Sequence, residues 1–442
     1  MTEILCALAS VVAGTVAGCL VACVPALHIY NVMGFGMIGL CSLDRGVPPV
    51  FAVPFVTGLI VGWAMANTIP SVFLAAPDES ALLMVLPGQK YAMAGRGIEA
   101  VMLTAVGGLA GAFVLVLLAG PLAPLVVPTV HAVFRRHLHW VLWSVIVFLL
   151  MSEWPRAGVR GPGGWKKFAE GWASLSAGLL TFALSGLLGF ILRYRSPMPL
   201  EAAFQDMMPA FAGLFAMPWL ILNIVSRVEL PRQQLAMAKV VVPMRPAFVG
   251  ACAGTLGGAF AAFFPGVTGG IGALFAGHAT AQRDDRVFLV SQGASKLVYY
   301  TGAFLLLFVP GLNLSRGTGA WLLQGLYVPH SAGDYFMALA SVAVAGAVAF
   351  LLMAPLARGM VAVVGRAGCR PVSWLALALI ALIVAAATGP MGLLVMAVST
   401  GIGLIPLLFH SRRLNCLGVI LLPMACGMSG IAPAVAARLG LL

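Results

Sequence analysis

Hydrophobic runs of roughly 20 residues alternate with short polar breaks along most of the chain. A helix of that length crosses the hydrocarbon core of a bilayer, and the chain has room for about 10 to 12 such membrane segments. Two further apolar runs, 29–41 and 269–279, are too short to cross alone and predict re-entrant half-helices. The pattern therefore predicts an all-α polytopic membrane protein, located in the cell membrane.

One segment that contains glycine and ends at proline occurs twice. Residues 13–25 read AGTVAGCLVACVP, and residues 253–265 read AGTLGGAFAAFFP. The two copies align without a gap, and each runs on into one of the short apolar stretches. Duplicated hydrophobic segments interrupted by Gly and Pro are typical of transporters built from inverted repeats. We predict two inverted transmembrane repeats, 1–240 and 241–442, each with a helix that breaks at its proline.

The amino-acid composition supports a membrane protein and limits the kinds of partner that we expect. Hydrophobic residues make up 61% of the chain and charged residues 9%, which excludes a soluble domain because so much apolar surface cannot be buried in one fold. The net charge of +12 comes from Lys and Arg dispersed over several loops. The positive-inside rule accounts for such loops, and an anionic substrate or anionic lipid headgroups are the alternative. Dispersed basic loops do not indicate a nucleic-acid partner.

The two helix breaks are the first candidate binding site. Proline lacks a backbone donor and clashes with the preceding turn, so the helix stops there. A half-helix that restarts beyond the break exposes N–H groups and the positive end of its dipole, which bind anions. The substrate-binding candidates on the two breaks are Pro25, His28, Asn31, Pro265, Gly266, Thr268, Gly269 and Gly270. The alternative is that Pro and Gly only kink and pack membrane helices.

Two ionisable residues within apolar surroundings extend this candidate site. His28 can exchange a proton near neutral pH, which suits a proton-coupled carrier, or it can be hydrogen-bonded to a neighbouring helix. Lys296 lies in an apolar segment and must pair or face water. It can neutralise a bound carboxylate or phosphate, or it can pair structurally with Asp284 or Asp285. We expect H⁺ or Na⁺ as a coupling ion, and neither a cofactor nor a metal site.

Two polar hairpins supply secondary candidates. These are Asp78, Glu79, Pro87, Gly88 and Lys90 in the first hairpin, and Ser291, Gln292 and Arg316 in the second. Asp78 and Glu79 are adjacent carboxylates, a pair suited to acid–base chemistry, but no nucleophile or metal-binding motif accompanies them. We therefore expect them to be solvated in a loop or to lie at a helix N-terminus. An intramembrane lipid-modifying enzyme is a minor alternative.

Motifs spread over the whole chain resemble those of a known family. The matching segments are 14–31, 86–88, 209–215, 403–406 and 412–419. Together they are similar to the large membrane subunit of the tripartite tricarboxylate transporters, especially its archaeal-type relatives. The resemblance implies an ion-coupled permease for a small organic anion, a carboxylate, with a small membrane subunit and a substrate-binding protein as partners. Ala26 and Gln89 depart from the Gly and Thr that are usual in the family.

The second break also resembles a different family. Residues 265–270 read PGVTGG, which is similar to the PGVSGG signature of the polyprenyl-phosphate translocases. The alternative function is therefore a translocase (flippase) of a polyprenyl phosphate or a similar anionic lipid carrier. In that case Phe260, Phe263 and Phe264 would form a wall for the lipid tail. Membrane lipids surround either kind of protein. Either kind can also assemble as a homodimer.

Overall fold

The computed structural model describes residues 2–25, 27–41, 48–153, 164–199, 205–226, 229–236, 242–280, 282 and 284–442. These residues form helices joined by turns and loops, and no strand occurs among them. Among the described residues, eight helices are long and apolar enough to cross a membrane, and the number of spans rises to as many as ten if each of two bent helix pairs counts as one. The prediction of an all-α polytopic membrane protein is confirmed.

The α-helices follow one another as α1 Thr2–Ala22, α2 Ile29–Cys41, α3 Pro49–Ala66, α4 Thr68–Phe73, α5 Val85–Met93, α6 Gly97–Val114, α7 Gly120–Phe134, α8 Leu138–Met151, α9 Trp165–Tyr194, α10 Met207–Phe211, α11 Met217–Ser226, α12 Met244–Phe263, α13 Gly269–Ala279, α14 Asp285–Leu305, α15 Gly317–Gln324, α16 Ala332–Ala367, α17 Cys369–Leu408, α18 Gly418–Met428 and α19 Ala432–Arg438. Two π-helical segments, Leu115–Ala119 and Ala212–Ala216, continue α6 and α10. Short 3₁₀ helices cover Leu82–Met84 and Arg413–Leu417.

Both duplicated segments end as the sequence predicts. Helix α1 stops shortly before Pro25 and α12 shortly before Pro265, because a proline ring clashes with the preceding turn of a helix. The two short apolar runs form α2 and α13, with the bounds read from the sequence. At 13 and 11 residues these helices are too short to cross the hydrocarbon core.

The glycines of the first copy bring two backbones into contact. A Cβ added to Gly14 would lie 2.1 Å from the carbonyl oxygen of Phe55, and one added to Gly18 would lie 2.3 Å from that of Leu59. Helix α1 can therefore pack closely on α3 only because these positions lack a side chain.

The second copy repeats this arrangement. A Cβ on Gly254 would lie 2.2 Å from the carbonyl oxygen of Ser291, and one on Gly258 would lie 2.5 Å from that of Ser295. Helix α12 thus packs on α14, the helix that follows the short α13, just as α1 packs on α3 after the short α2. The packing of small residues, which the sequence offered as one interpretation of these motifs, is present beside the breaks.

The chain divides into two compact units. Unit 1 comprises Met1–Phe134 and Asn223–Ala376, and unit 2 comprises Arg135–Leu222 and Leu377–Leu442. Each unit contains residues of both predicted repeats. The repeats themselves, with their boundary at residue 240, stay a prediction. Both helix breaks and all the residues that surround them belong to unit 1.

Candidate functional site

The first break places a histidine directly before α2. His28 is buried, and its Nδ1 atom accepts a hydrogen bond of 3.2 Å from the backbone N–H of Tyr30. Nδ1 is engaged in this contact, and Nε2 is the ring nitrogen that reaches the polar cluster. Nε2 lies 3.2 Å from Oε1 of Glu79 and 3.2 Å from the hydroxyl oxygen of Tyr300. Of the two interpretations of His28 drawn from the sequence, the hydrogen-bonded one describes its contacts.

The loop between α4 and the first 3₁₀ helix supplies two carboxylates. Asp78 and Glu79 are only 8% and 4% exposed, and the Tyr300 hydroxyl lies 2.6 Å from Oε1 of Glu79 and 3.2 Å from Oδ2 of Asp78. The same hydroxyl lies 3.1 Å from Oγ of Ser80. The expectation that Asp78 and Glu79 are solvated or cap a helix is wrong. Their loop contacts α14, whose polar side chains make the burial tolerable.

Lys296 projects from α14 into the same cluster. Its ammonium group donates to Oδ1 of Asn67 at 2.6 Å and lies 3.1 Å from Oδ2 of Asp78. It also lies 4.9 Å from the ring of Trp63, a cation–π distance. The side chain is 2% exposed, so the ion pair with Asp78 is shielded from water.

The aspartates that the sequence offered as partners for Lys296 have other roles. Asp284 caps α14 by accepting a hydrogen bond from the backbone N–H of Arg286. Asp285 pairs with Lys90 at an exposed position, and this hydrogen bond raises the pKa of Lys90. The structural pairing of Lys296 is therefore real, but its partner is Asp78.

The second break approaches the same loop. Gly266 has a φ of +76°, which a glycine adopts without strain, and Thr268 forms the N-cap of α13. A Cβ added to Gly270 would lie 3.0 Å from the carbonyl oxygen of Ser80. The carbonyl oxygen of Gly269 accepts a hydrogen bond of 2.8 Å from Oγ of Ser295. Both breaks therefore reach residues 78–80, the first through His28 and the second through Gly270.

Several buried polar groups near these elements have no hydrogen-bond partner in the part of the chain that the structure describes. They are Oγ1 of Thr268, Oδ1 of Asp78, Oγ of Ser291, Nε2 of Gln292 and Nε of Arg316. Buried polar atoms are nearly always paired in folded proteins, so each of these groups is available to a ligand, an ion or water.

The remaining predicted residues lie at the edge of the site or outside it. Asn31 is half-buried in the first turn of α2. Pro87 and Gly88 lie on α5, where a Cβ on Gly88 would meet Val72 at 3.1 Å. Lys90, in the last turn of the same helix, forms the exposed ion pair with Asp285. The structure therefore does not bring α5 into the buried cluster.

The sequence did not single out three residues of the cluster. They are Trp63, Asn67 and Tyr300, of which Trp63 also donates its indole N–H to the carbonyl oxygen of Leu27. Two features of the sequence point to Asn67 and Tyr300. Asn67 is the lone amide of the apolar stretch 49–73, and Tyr300 follows Lys296 by four residues, which places both on one face of a helix.

The cluster contains two carboxyl groups and one ammonium group. Asp78 and Glu79 provide the carboxyl groups, Lys296 provides the ammonium group, and the imidazole of His28 lies beside Glu79. Ligand atoms of His28, Asp78 and Glu79 lie within 4.8 Å of one another, close enough to hold a cation. No metal site was expected from the sequence. A buried excess of negative charge is costly, so the site favours a proton or a metal cation.

Secondary transporters typically contain helices that break beside a buried polar site. This chain has that arrangement, which is typical of the transporter class. Residues 8–418 match the Tripartite tricarboxylate transporter TctA family, and the chain belongs to that family. An uncharacterised protein of Methanocaldococcus jannaschii is 25% identical over 327 residues, which cover 73% of each chain. No solved structure matches the chain.

Family membership confirms the resemblance seen in the sequence and the location in a membrane. The chain is a membrane subunit of the tripartite tricarboxylate transporter type. Transporters of this type work with a substrate-binding protein and a small membrane subunit. The family is a transporter family, so membership does not favour the alternative of an intramembrane enzyme.

Proposed function

We propose that this chain is an ion-coupled permease for a small organic anion, a carboxylate, which binds between the breaks at Pro25 and Pro265. One observation carries the proposal. His28 and Gly270, from the two breaks, both contact the buried loop at 78–80. Two interrupted segments that meet at one polar cluster form the arrangement in which transporters hold substrate and coupling ion together.

The start of α13 supports a carboxylate as the ligand. The first N–H groups of a helix have no partner within the helix, and its dipole adds positive potential there. Gly269 and Gly270 bring this backbone close to α14 and to the loop at 78–80, and the buried hydroxyl of Thr268 has no partner among the described residues. A carboxylate needs several donors in a buried site, and these groups offer them.

Coupling to a cation follows from the charge of the cluster. An anion beside Asp78 and Glu79 would be repelled by their excess negative charge until H⁺ or Na⁺ neutralises it. The free Oδ1 atom of Asp78 is the acceptor that such an ion would use. A cation that improves anion binding is itself bound more tightly when the anion is present, because linkage is reciprocal. Lys296 is then the residue that holds Asp78 in place.

Arg316 is a candidate for selecting anions near this site. It forms the N-cap of α15, and a Cβ on the following Gly317 would lie 2.8 Å from the hydroxyl oxygen of Tyr30. The ring of Tyr30 in turn lies 4.7 Å from that of His28. We propose that Arg316 attracts the carboxylate, and that a substrate-binding protein and a small membrane subunit complete the transporter.

Uptake into proteoliposomes tests this function. The chain is reconstituted with the small membrane subunit, and uptake of radiolabelled citrate and smaller carboxylates is measured with the binding protein, with and without H⁺ and Na⁺ gradients. We expect gradient-driven uptake of at least one carboxylate, lost in Asp78→Asn and retained in Lys90→Met. Uptake that ignores both gradients, or that survives Asp78→Asn unchanged, would count against the proposal.

One observation favours the second candidate, a translocase of an anionic lipid carrier. An apolar cavity of about 140 Å³ lies directly before the second break. Its lining includes Ala259, Ala262 and Phe263 of α12, together with Val298 and Leu305 of α14. Phe263 is one of the residues expected to form a wall for a lipid tail. Chemical quenching of a fluorescent polyprenyl phosphate in liposomes tests this candidate, and faster access to inner-leaflet lipid in the presence of the chain would support it.

A further inference from the structure

Unit 2 contains a half-buried arginine that the proposed transport site does not use. Arg413 begins the 3₁₀ helix Arg413–Leu417, and its Nη2 atom donates to the carbonyl oxygens of Leu214 and Phe215. Both carbonyls belong to the π-helical segment Ala212–Ala216. Such a segment departs from the regular i to i−4 bonding pattern, and π-helical turns are frequent at functional sites. Only one arm of the guanidinium is therefore used in holding this turn.

The other donors of the same group lack acceptors. Nε and Nη1 of Arg413 are shielded from solvent and have no hydrogen-bond partner in the described part of the chain. The guanidinium carbon lies 5.4 Å from the ring centre of Trp219, whose indole N–H is also buried without a partner there. The hydroxyl of Ser411, two residues before Arg413, is also buried without a hydrogen-bond partner among the described residues.

Charge shows which partner is missing. Among the described residues no carboxylate forms an ion pair with Arg413, in contrast to His28, Lys90, Arg96 and Lys296, which each have one. A buried guanidinium without a counter-ion is costly. Arginine donors in a fixed planar fork match an oxyanion better than water or a single carbonyl.

We propose that unit 2 holds a second anion site in which Arg413 and Trp219 are the donors. Its ligand is an oxyanion with at least two acceptor oxygens. A phosphate group meets this description, whether it belongs to a lipid headgroup or is free. The site shares no residue with the cluster around Asp78, so it stands or falls separately from the proposed transport function.

Thermal unfolding of the full chain in maltoside detergent micelles, which contain no phosphate, tests the site with two probes. In the first arm inorganic phosphate is titrated. In the second arm phosphatidylglycerol is titrated into the micelles. Trp219→Phe keeps an aromatic side chain and removes the N–H, and Arg413→Gln removes the charge. Trp143→Phe is the matched control, because its indole N–H already donates to Ser429.

We expect at least one probe to raise the Tm of the wild type. Trp219→Phe should weaken that response about tenfold in apparent affinity, the effect of one hydrogen bond to a charged group, and Trp143→Phe should not change it. A response to phosphate alone assigns a free anion, and one to phosphatidylglycerol alone assigns a headgroup. The proposal is overturned if neither probe shifts the wild-type Tm, or if Trp219→Phe responds like the wild type. If Arg413→Gln fails to fold, the response of Trp219→Phe still tests the proposal.

Discussion

Each charge of the buried cluster is held by more than one partner. Oδ2 of Asp78 meets both Lys296 and Tyr300, and Oε1 of Glu79 meets both His28 and Tyr300. Removing one partner from such a network leaves the other charge buried and unpaired, which costs more than the pair itself contributes. The residues of this site should therefore respond very differently to single and to paired substitutions.

The ion pair of Lys296 gives the clearest case. Lys296→Met strands the carboxylate of Asp78, and breaking a buried pair in this way costs about 3 to 5 kcal/mol. The double variant Lys296→Met with Asp78→Asn should recover most of that stability, because no unpaired charge remains. Thermal unfolding in detergent measures both effects.

Lys90→Met is the matched control for this experiment, because its pair with Asp285 is exposed and contributes little to stability. A double variant no more stable than Lys296→Met alone would contradict the assignment of Asp78 as the partner.

Removing the hydroxyl of Thr268 should change ligand affinity without lowering stability. Thr268→Val keeps the shape of the side chain and removes a buried hydroxyl that has no partner among the described residues, so stability should stay the same or rise. Carboxylate affinity should fall about tenfold or more, the loss of one hydrogen bond to a charged group.

Thr255→Val, which removes a similarly unpartnered hydroxyl from α12, should leave affinity unchanged. Isothermal titration calorimetry checks both variants, and equal losses of affinity would remove Thr268 from the site.

At the scale of elements, two helix pairs hold the breaks in position. Helix α1 packs on α3 and α12 packs on α14 through glycines that leave no room for a Cβ. Helix α14 carries both Lys296 and Tyr300, so the packing of α12 fixes the cluster as well as the second break. Small residues in these motifs and the binding site beside them are parts of one arrangement.

Gly258→Ala tests this packing. The added Cβ would lie 2.5 Å from the backbone oxygen of Ser295, so α12 and α14 must separate, and we expect a Tm lowered by several degrees. Gly359→Ala on α16, where nothing lies within 4 Å of the added Cβ, should fold like the wild type. Similar Tm values for the two variants would show that the close contact is not needed.

The sequence predicts those features that depend on local patterns, and it does not predict those that depend on contacts between distant residues. The prolines, glycines and short apolar runs are local signals, and they are enough to locate α2 and α13 along the chain. The loop at 78–80 has the composition of a solvated turn, and it is buried by contacts with distant residues such as Tyr300, more than 200 residues away. No local pattern encodes such a contact. For the same reason the segment 412–419 gives no sign in the sequence of the contacts that Arg413 makes in the structure.

At the scale of the whole molecule, the chain is one component of a tripartite system by family. We expect its uptake activity to need the small membrane subunit and a substrate-binding protein. Reconstitution with each component left out in turn checks this expectation. Full uptake by the chain alone would contradict it and would place the whole transport cycle in this subunit.

The central claim is that a cation at Asp78 and Glu79 allows an anion to bind between the two breaks. Calorimetric titration of citrate into the purified chain, at a series of Na⁺ concentrations and pH values, tests it directly. For the wild type we predict an affinity that rises by about tenfold or more with Na⁺ or with falling pH, since coupling energies are typically about 1 to 3 kcal/mol. Asp78→Asn should bind with an affinity that no longer depends on that ion. Citrate binding that is equally insensitive to Na⁺ and pH in the wild type and in Asp78→Asn would contradict the claim.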